Sequence, residues 1–206
     1  MILEACVENI NEAIAAERLG ANRIELCDNL HVGGTTPSYG TIFMAKKTLL
    51  IPIMVLIRPR GGNFIYNSHE IEIMKKDIAV CRDIGVQGVV IGALRPDSTI
   101  DIDLMKELVA LAHPLDVTFH KAIDETPNIL RECGKLGSLG INRLLTSGGK
   151  PTALEGAGVI NQMIAELRGS VDVIAAGKIT RNNLDEIKKV IKGNEYHGRL
   201  IVGKLQ

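Results

Sequence analysis

Short apolar runs alternate with segments of helical periodicity along the whole chain. Apolar runs of about five residues between turn residues are typical of strands buried on both faces of a parallel sheet. Seven strand–helix units can be recognised, and a weak eighth strand is predicted within residues 195–201. This repeating order predicts a parallel α/β fold. The seven clear strands are predicted at residues 2–6, 23–27, 53–57, 88–92, 115–119, 142–146 and 171–175.

Eight units favour a closed sheet over an open one. The predicted fold class is α/β, a TIM-type (β/α)8 barrel formed by a single domain over residues 1–206. The chain has 206 residues, fewer than the roughly 250 typical of this barrel, and few residues follow the last strand. We therefore expect the last strand–helix unit to be incomplete. No Gly-x-Gly-x-x-Gly sequence follows the first strand, which disfavours a dinucleotide-binding open sheet.

The charge balance argues against two classes of partner. The chain carries 24 basic and 24 acidic residues, so it lacks the charge excess expected of a protein that binds nucleic acid or an anionic membrane. No apolar run approaches the roughly 20 residues that span a bilayer. The four cysteines include no Cys-x-x-Cys pair and do not resemble a disulfide framework. We expect a cytoplasmic protein.

Two arginines and two glycines follow the third predicted strand directly, as Arg58-Pro59-Arg60-Gly61-Gly62. Ligands of parallel α/β folds bind at the carboxyl ends of the strands. A guanidinium offers five donors in a planar fork that suits carboxylate or phosphate. Arg58 and Arg60 are therefore predicted to bind a small anionic substrate. The alternative for each arginine is a structural salt bridge.

Successive strand residues point to opposite faces of a sheet, so Glu4 and Cys6 share one face, as do Glu25 and Cys27. Unpaired charges are costly beneath packed helices, which places both pairs inside the barrel. His120 ends the fifth strand and could act as an acid–base group with Glu4 or Glu25. These three residues are the catalytic candidates. A structural, hydrogen-bonded histidine is the alternative for His120.

The thiols of Cys6 and Cys27 are predicted at equivalent positions of neighbouring strands, about 4.8 Å apart. They could therefore share one metal ion. Two thiolates suit Cu(I), whereas zinc would need further ligands from His120 or a carboxylate. The alternative is that both are small buried apolar side chains. Cys81 and Cys133 lie on apolar helix faces and are assigned to the core.

Two glycine-containing loops follow the sixth and seventh strands. Ser147 and Gly148 belong to the first loop, and Gly177 belongs to the second. Loops at this end of a TIM-type barrel can bind phosphate through backbone amides. Ser147, Gly148 and Gly177 are therefore predicted as substrate-binding residues. The alternative is that the glycines only permit the turns.

Several of these segments together resemble the CutC family. They occur in the family's order and spacing from the first strand to beyond the sixth. The resemblance implies a TIM-type barrel, a cytoplasmic location, a role in copper homeostasis and a homo-oligomer, commonly a dimer. It also implies that Cys6 and Cys27 correspond to the two cysteines proposed as copper ligands in the family. The segments are Glu4-Ala5-Cys6, Arg23-Ile24-Glu25-Leu26-Cys27, Gly33-Gly34-Thr35-Thr36-Pro37-Ser38, residues 57–62, Val117-Thr118-Phe119-His120 and Leu145-Thr146-Ser147-Gly148.

Two functional hypotheses follow from the sequence. The first is a Cu(I)-binding protein that uses Cys6 and Cys27. The second is an enzyme of unknown reaction that acts on a small anionic substrate, sugar-like or phosphorylated, at the barrel mouth. The ligand is accordingly a copper ion or a small anion.

Overall fold

Eight parallel strands close into a barrel in chain order in the computed structural model, which describes residues 1–205. The first strand pairs with both the second and the eighth, which closes the sheet. The predicted TIM-type α/β barrel is confirmed. The strands are β1 Ile2–Val7, β2 Arg23–Leu26, β3 Ile53–Leu56, β4 Gly88–Ile91, β5 Asp116–Phe119, β6 Arg143–Thr146, β7 Asp172–Ala175 and β8 Glu195–Gly198.

Seven helices pack around the barrel in the described part of the chain. As predicted, the last unit is incomplete up to residue 205, since turns and bends follow β8. None of the described helices has the length and apolar character needed to cross a membrane. The helices are α1 Ile10–Arg18, α2 Tyr39–Thr48, α3 Ser68–Ile84, α4 Ile102–Ala112, α5 Ile129–Cys133, α6 Ala157–Glu166 and α7 Leu184–Val190.

Local signals explain where some helices begin and end. The side chain of Asn67 accepts hydrogen bonds from the first turn of α3, and Gly85 ends that helix in the left-handed conformation. These signals bound α3 at Ser68 and Ile84. α6 begins at Ala157, after a long loop that follows the end of β6 at Thr146. The residues before it form turns, and Ala153 N donates to Gly177 O at 2.9 Å, so this loop packs onto the end of β7.

Apolar side chains fill two distinct zones. The larger zone lies between the strands and the helices and includes Cys81 and Cys133, which confirms both as core residues. The barrel interior holds two smaller apolar clusters. Cys6, Cys27, Met54, Leu56 and Val90 form one, and Leu145, Ile174 and Ala176 form the other. The remaining interior positions are mostly polar or charged.

An ion network fills the interior at the amino-terminal end of the strands. Arg23 donates to both Glu4 and Glu195. Arg143 donates to Asp116 at 3.0 Å and lies 3.8 Å from Glu195. Side chains of alternate strands meet in layers inside such barrels, which explains how β2, β6 and β8 meet here. We call these five residues the basal ion network.

Candidate functional site

A pocket of about 210 Å³ opens at the carboxyl ends of the strands. Ligand pockets usually measure about 300–1,000 Å³, so this one fits only a small molecule. Leu30, Leu56, Phe64 and Leu145 supply apolar wall. We call it the mouth pocket. Its chemically functional side chains include Cys6, Cys27, Glu25, His197, Arg58 and His120.

The two predicted cysteines meet in this pocket. Their sulfur atoms lie 3.8 Å apart, and both residues are buried. The prediction that they occupy equivalent strand positions is wrong, because Cys6 pairs in register with Glu25. Cys27 lies two residues beyond Glu25, directly after the end of β2. Tilted barrel strands are staggered relative to their neighbours, so side chains at one height need not come from paired positions.

His197 of β8 lies between the two predicted glutamates. Its Nδ1 is 2.9 Å from Glu4 Oε1, and its Nε2 is 3.6 Å from Glu25 Oε2. Burial opposes the charged imidazole, but contacts with Cys6, Glu4 and Glu25 outweigh it and raise the pKa of His197 well above its ordinary value. The side chain is therefore an imidazolium at neutral pH. The weak pattern of the eighth strand was the only sequence signal for it.

β8 is fixed by contacts outside the pocket. The buried hydroxyl of Tyr196 lies 3.0 Å from Ile191 O and 2.9 Å from Gly193 O, and these two carbonyls share its single proton. β8 also pairs with β1, where His197 lies in register with Glu4. The pairing of β1 with β8 therefore places the imidazole of His197 beside the carboxylate of Glu4.

The two glutamates titrate in opposite directions. Burial would raise the pKa of Glu4, but the hydrogen bond with His197 and the charge of Arg23 lower it to about 2. Burial and the charge of Cys6 raise the pKa of Glu25 to about 8, against the opposing effect of His197. Glu4 is therefore a carboxylate at neutral pH, and Glu25 holds its proton there.

The thiols are also differentiated. The hydrogen bond from Cys27 lowers the pKa of Cys6, and His197 adds to that effect against burial. The same hydrogen bond, together with burial, raises the pKa of Cys27. The pair is therefore a thiolate and a thiol that donates to it. A thiolate is the form of cysteine that binds metals and acts as a nucleophile.

Arg58 and His120 form another part of the pocket lining. The guanidinium of Arg58 donates to Gly34 O at 3.0 Å, Val32 O at 3.3 Å and Gly62 O at 2.5 Å. It also lies over the ring of Phe64, 4.7 Å from the centroid. Three carbonyls and one aromatic face thus fix its orientation.

His120 is held as a neutral imidazole. Its Nδ1 accepts a hydrogen bond from Ala122 N at 3.2 Å, so its proton is on Nε2. Burial and the charge of Arg58 lower the pKa of His120 to about 3. Gly92 allows the ring this position, because a Cβ there would lie 2.5 Å from ring atoms. A histidine with this pKa is poorly suited to acid–base work at neutral pH.

The second predicted arginine lies outside the pocket lining. Arg60 Nε donates to Glu70 at 2.6 Å, and its terminal nitrogens donate to Asn63 O at 2.8 Å and Ile65 O at 2.7 Å. Its guanidinium is thus committed to the loop before α3 and to the first turn of that helix. This is the structural role that the sequence left open as an alternative.

Ser147, Gly148 and Gly177 also lie outside the pocket lining. Of the three amides expected to bind a phosphate, those of Ser147 and Gly148 have partners in the chain, and Gly148 N donates to Thr146 Oγ1 at 2.9 Å. Ser147 N and Gly149 N each donate to Asp124 at 2.9 Å. A carboxylate of the protein therefore occupies the loop where a substrate anion was predicted.

Asp124 is a residue that the sequence analysis missed. It accepts a hydrogen bond from Thr146 Oγ1 at 2.5 Å and an ion pair from Lys121 Nζ at 2.9 Å. Lys121, which also lines the mouth pocket, follows His120 directly. Asp124 thus ties the segment after β5 to the loop after β6. Its place just after His120 and Lys121 was the available signal.

Among residues 1–205, one group of side chains could hold a metal ion. Ligand atoms of Cys6, Glu25 and Cys27 lie within 4.8 Å of one another. Two of the three donors are sulfur, which favours a soft ion. Calcium and magnesium take mainly oxygen ligands, six or more for calcium, and do not match this set.

Comparison with known proteins agrees with the sequence resemblance. The sequence model of the CutC family matches residues 1–202. A mouse protein named copper homeostasis protein cutC homolog is 44% identical over 196 residues, which cover 95% of this chain and 72% of the relative. A CutC family protein from Xylella fastidiosa is 41% identical over 195 residues, covering 95% of this chain and 73% of its own length. The structure of a CutC protein from Streptococcus agalactiae aligns with a TM-score of 0.93 and 32% identity, covering 98% of this chain and 99% of the other.

Proposed function

Because this chain belongs to the CutC family, we propose that it serves copper homeostasis by binding one Cu(I) ion between Cys6 and Cys27. The observation that carries the proposal is the 3.8 Å separation of the two sulfur atoms in the mouth pocket. Metal–thiolate bonds are about 2.3 Å long for an ion such as zinc, so one ion can contact both sulfurs across this gap.

The surroundings of the thiols support a soft cation as cargo. Cys6 is already biased towards the thiolate, so of the two cysteines only Cys27 has to lose a proton when the ion binds. Glu25 is the single further donor in the group. Structural zinc almost always takes four ligands, so two thiolates and one carboxyl fit Cu(I) better.

The proposal predicts one tight Cu(I) site per chain. An anaerobic competition titration against a chromophoric Cu(I) chelator would measure it in the wild type and in Cys6→Ser and Cys27→Ser. We expect each serine variant to bind at least roughly 100-fold more weakly, since loss of a direct ligand exceeds the loss seen for outer-shell changes.

The matched control is the double variant Cys81→Ser/Cys133→Ser. It removes two buried thiols that lie outside the mouth pocket. It should bind Cu(I) like the wild type. Equal affinity in the wild type and the pocket variants would reject the copper site and leave the two cysteines as packing residues.

A cytoplasmic location is part of the same proposal. All four cysteines are free thiols in the structure, as expected for a protein kept in a reducing compartment. The homo-oligomer implied by the family resemblance stays a prediction.

Catalysis on a small anionic substrate is a second candidate function. It is favoured by Glu25, which lines the pocket and has a pKa raised to about 8. A carboxylic acid that titrates near neutral pH can donate and accept protons in a reaction. This assigns the acid–base role to Glu25 in place of His120.

A further inference from the structure

Two arginines are buried among residues 1–205, and they differ in how their charges are neutralised. Arg23 contacts the carboxylates of Glu4 and Glu195. Arg58 is 5% exposed, and in the described part of the chain no carboxylate lies within ion-pair distance of it. A buried charge without a counterion is costly, so we expect an anionic ligand to serve as the partner of Arg58.

Arg58 also retains an unused donor. Its terminal nitrogens donate to backbone carbonyls, but its buried Nε has no partner in the described part of the chain. The carbonyls and the ring of Phe64 keep the guanidinium from turning to find one. Since an unsatisfied buried donor costs about 1–3 kcal/mol, this nitrogen marks a place for a ligand acceptor.

His120 supplies a second unused donor in the same pocket. Its Nδ1 is occupied by Ala122 N, so the proton lies on Nε2, which is buried without a partner among residues 1–205. Both residues line the mouth pocket. Two unpartnered N–H donors and one positive charge therefore belong to side chains in the wall of a small, largely apolar cavity.

We propose that the mouth pocket binds a small oxyanion, a carboxylate or phosphate group, whose oxygens accept hydrogen bonds from Arg58 Nε and His120 Nε2. The volume of about 210 Å³ limits the rest of the ligand to a few carbon atoms. The apolar wall around Phe64 lowers the local dielectric and strengthens the attraction between the anion and Arg58. The ligand class is a short organic acid or a small phosphate monoester.

The other charged groups of the pocket are compatible with an anion. Glu25 faces the imidazole of His197, with Nε2 and Oε2 3.6 Å apart. Lys121 lies at the pocket with its ammonium paired to Asp124. Cys6 lies against the imidazolium of His197. The inference rests on Arg58 and His120 alone, so it stands or falls separately from copper binding.

Calorimetric titration of the metal-free protein tests the site with three probes, inorganic phosphate, acetate and acetamide. Acetamide matches acetate in size but has no charge. We expect one site per chain for at least one anion and none for acetamide. Arg58→Gln should lower the affinity for the anion at least roughly tenfold, since it removes a charge-assisted hydrogen bond. The control Arg95→Gln removes an exposed charge paired with Asp103 and should leave binding unchanged.

Two variants of His120 keep the test decisive if Arg58→Gln fails to fold. His120→Asn preserves an acceptor for Ala122 N but removes the pocket donor, so it should lose anion binding. His120→Gln restores a donor near the position of Nε2 and should retain binding. The proposal is overturned if neither anion binds, if acetamide binds as well as acetate, or if His120→Asn binds the anion like the wild type.

Discussion

Buried arginines at the two ends of the barrel interior have different kinds of partner. In the basal ion network, Arg23 bridges two glutamates and Arg143 contacts Asp116. In the mouth pocket, Arg58 has only backbone carbonyls and an aromatic ring as partners. Removing one partner from a closed network strands the other charge, whereas an open set can accept a ligand. We infer that the basal network stabilises the barrel and that the mouth pocket is kept for binding.

The two glutamates show the same contrast. Glu4 and Glu25 lie on neighbouring strands and are both buried. Glu4 has Arg23 and His197 as close partners, and its pKa falls to about 2. For Glu25, burial and the nearby Cys6 dominate, and its pKa rises to about 8. The change from carboxylates paired with cations to a carboxyl group without sufficient compensation therefore occurs between two neighbouring side chains inside the barrel.

The largest effect is expected from Arg23→Met. This change leaves Glu4 and Glu195 buried without their shared cation, and loss of one partner of a buried pair costs about 3–5 kcal/mol. The free energy of unfolding, measured by urea denaturation at neutral pH, should fall by that amount. Arg58→Met should cost clearly less, because it strands no carboxylate.

These two variants test whether the basal ion network and the mouth pocket differ in their contribution to stability. Equal losses for Arg23→Met and Arg58→Met would mean that Arg58 stabilises the fold as strongly as the basal network does. The mouth pocket would then be one more part of the structural core. A small loss at Arg58 together with a large loss at Arg23 would sharpen the distinction.

A smaller effect, with a defined pH dependence, is expected from Glu25→Gln. The pKa of Glu25 is about 8 in the folded protein against an ordinary value of 4.5. Its contribution to stability is present below pH 4.5 and is lost as pH rises towards 8, because the unfolded chain gives up the proton first. Glu25→Gln should therefore gain stability relative to the wild type across this window, on the order of 2–4 kcal/mol at pH 8.

Glu4 provides the opposite sign in the same experiment. Its pKa is lowered from 4.5 to about 2, so its contribution is present above pH 4.5 and is lost as pH falls towards 2. Urea denaturation of the wild type, Glu25→Gln and Glu4→Gln from pH 3 to pH 9 would separate the pH ranges over which the two glutamates change the stability. A difference between Glu25→Gln and the wild type that does not change from pH 5 to pH 8 would contradict the raised pKa.

The alternation of the sequence was enough to predict the barrel and the inward direction of the key side chains. Period-two patterning placed Glu4, Cys6, Glu25 and Cys27 inside, and the structure agrees. This succeeded because an interior position on a short strand leaves little choice of face. The predicted positions of the strands differ from the observed ones by a few residues at most.

Contacts between distant segments could not be predicted in this way. The register of β1 and β2 depends on barrel tilt, which no single strand encodes, and it displaced Cys27 from Cys6. His197 reaches Glu4 across 193 positions of the sequence. Asp124 takes the amides of the loop after β6 for the same reason, since only the closed barrel brings the two loops together.

The smallest loss of unfolding free energy is expected from Arg60→Gln. This variant allows Arg60 to be compared with Arg58 in the same loop. Arg60 lies two residues from Arg58, but its side chain is 36% exposed and pairs with Glu70 at the surface. Surface ion pairs contribute little because water screens them and side-chain entropy opposes them. The loss of unfolding free energy should be several-fold below that of Arg23→Met.

The same variant decides whether position in the chain or position in the pocket sets the role of an arginine. If burial and the unpaired Nε are what matter, Arg58→Gln should weaken anion binding at least roughly tenfold. Arg60→Gln should leave the affinity for the anion within about twofold, as expected for a surface charge screened by solvent. If both variants lose the anion equally, the whole Arg58-Pro59-Arg60 segment acts as one electrostatic unit. The boundary between structural and binding arginines would then separate this loop from the basal ion network instead of dividing the loop itself.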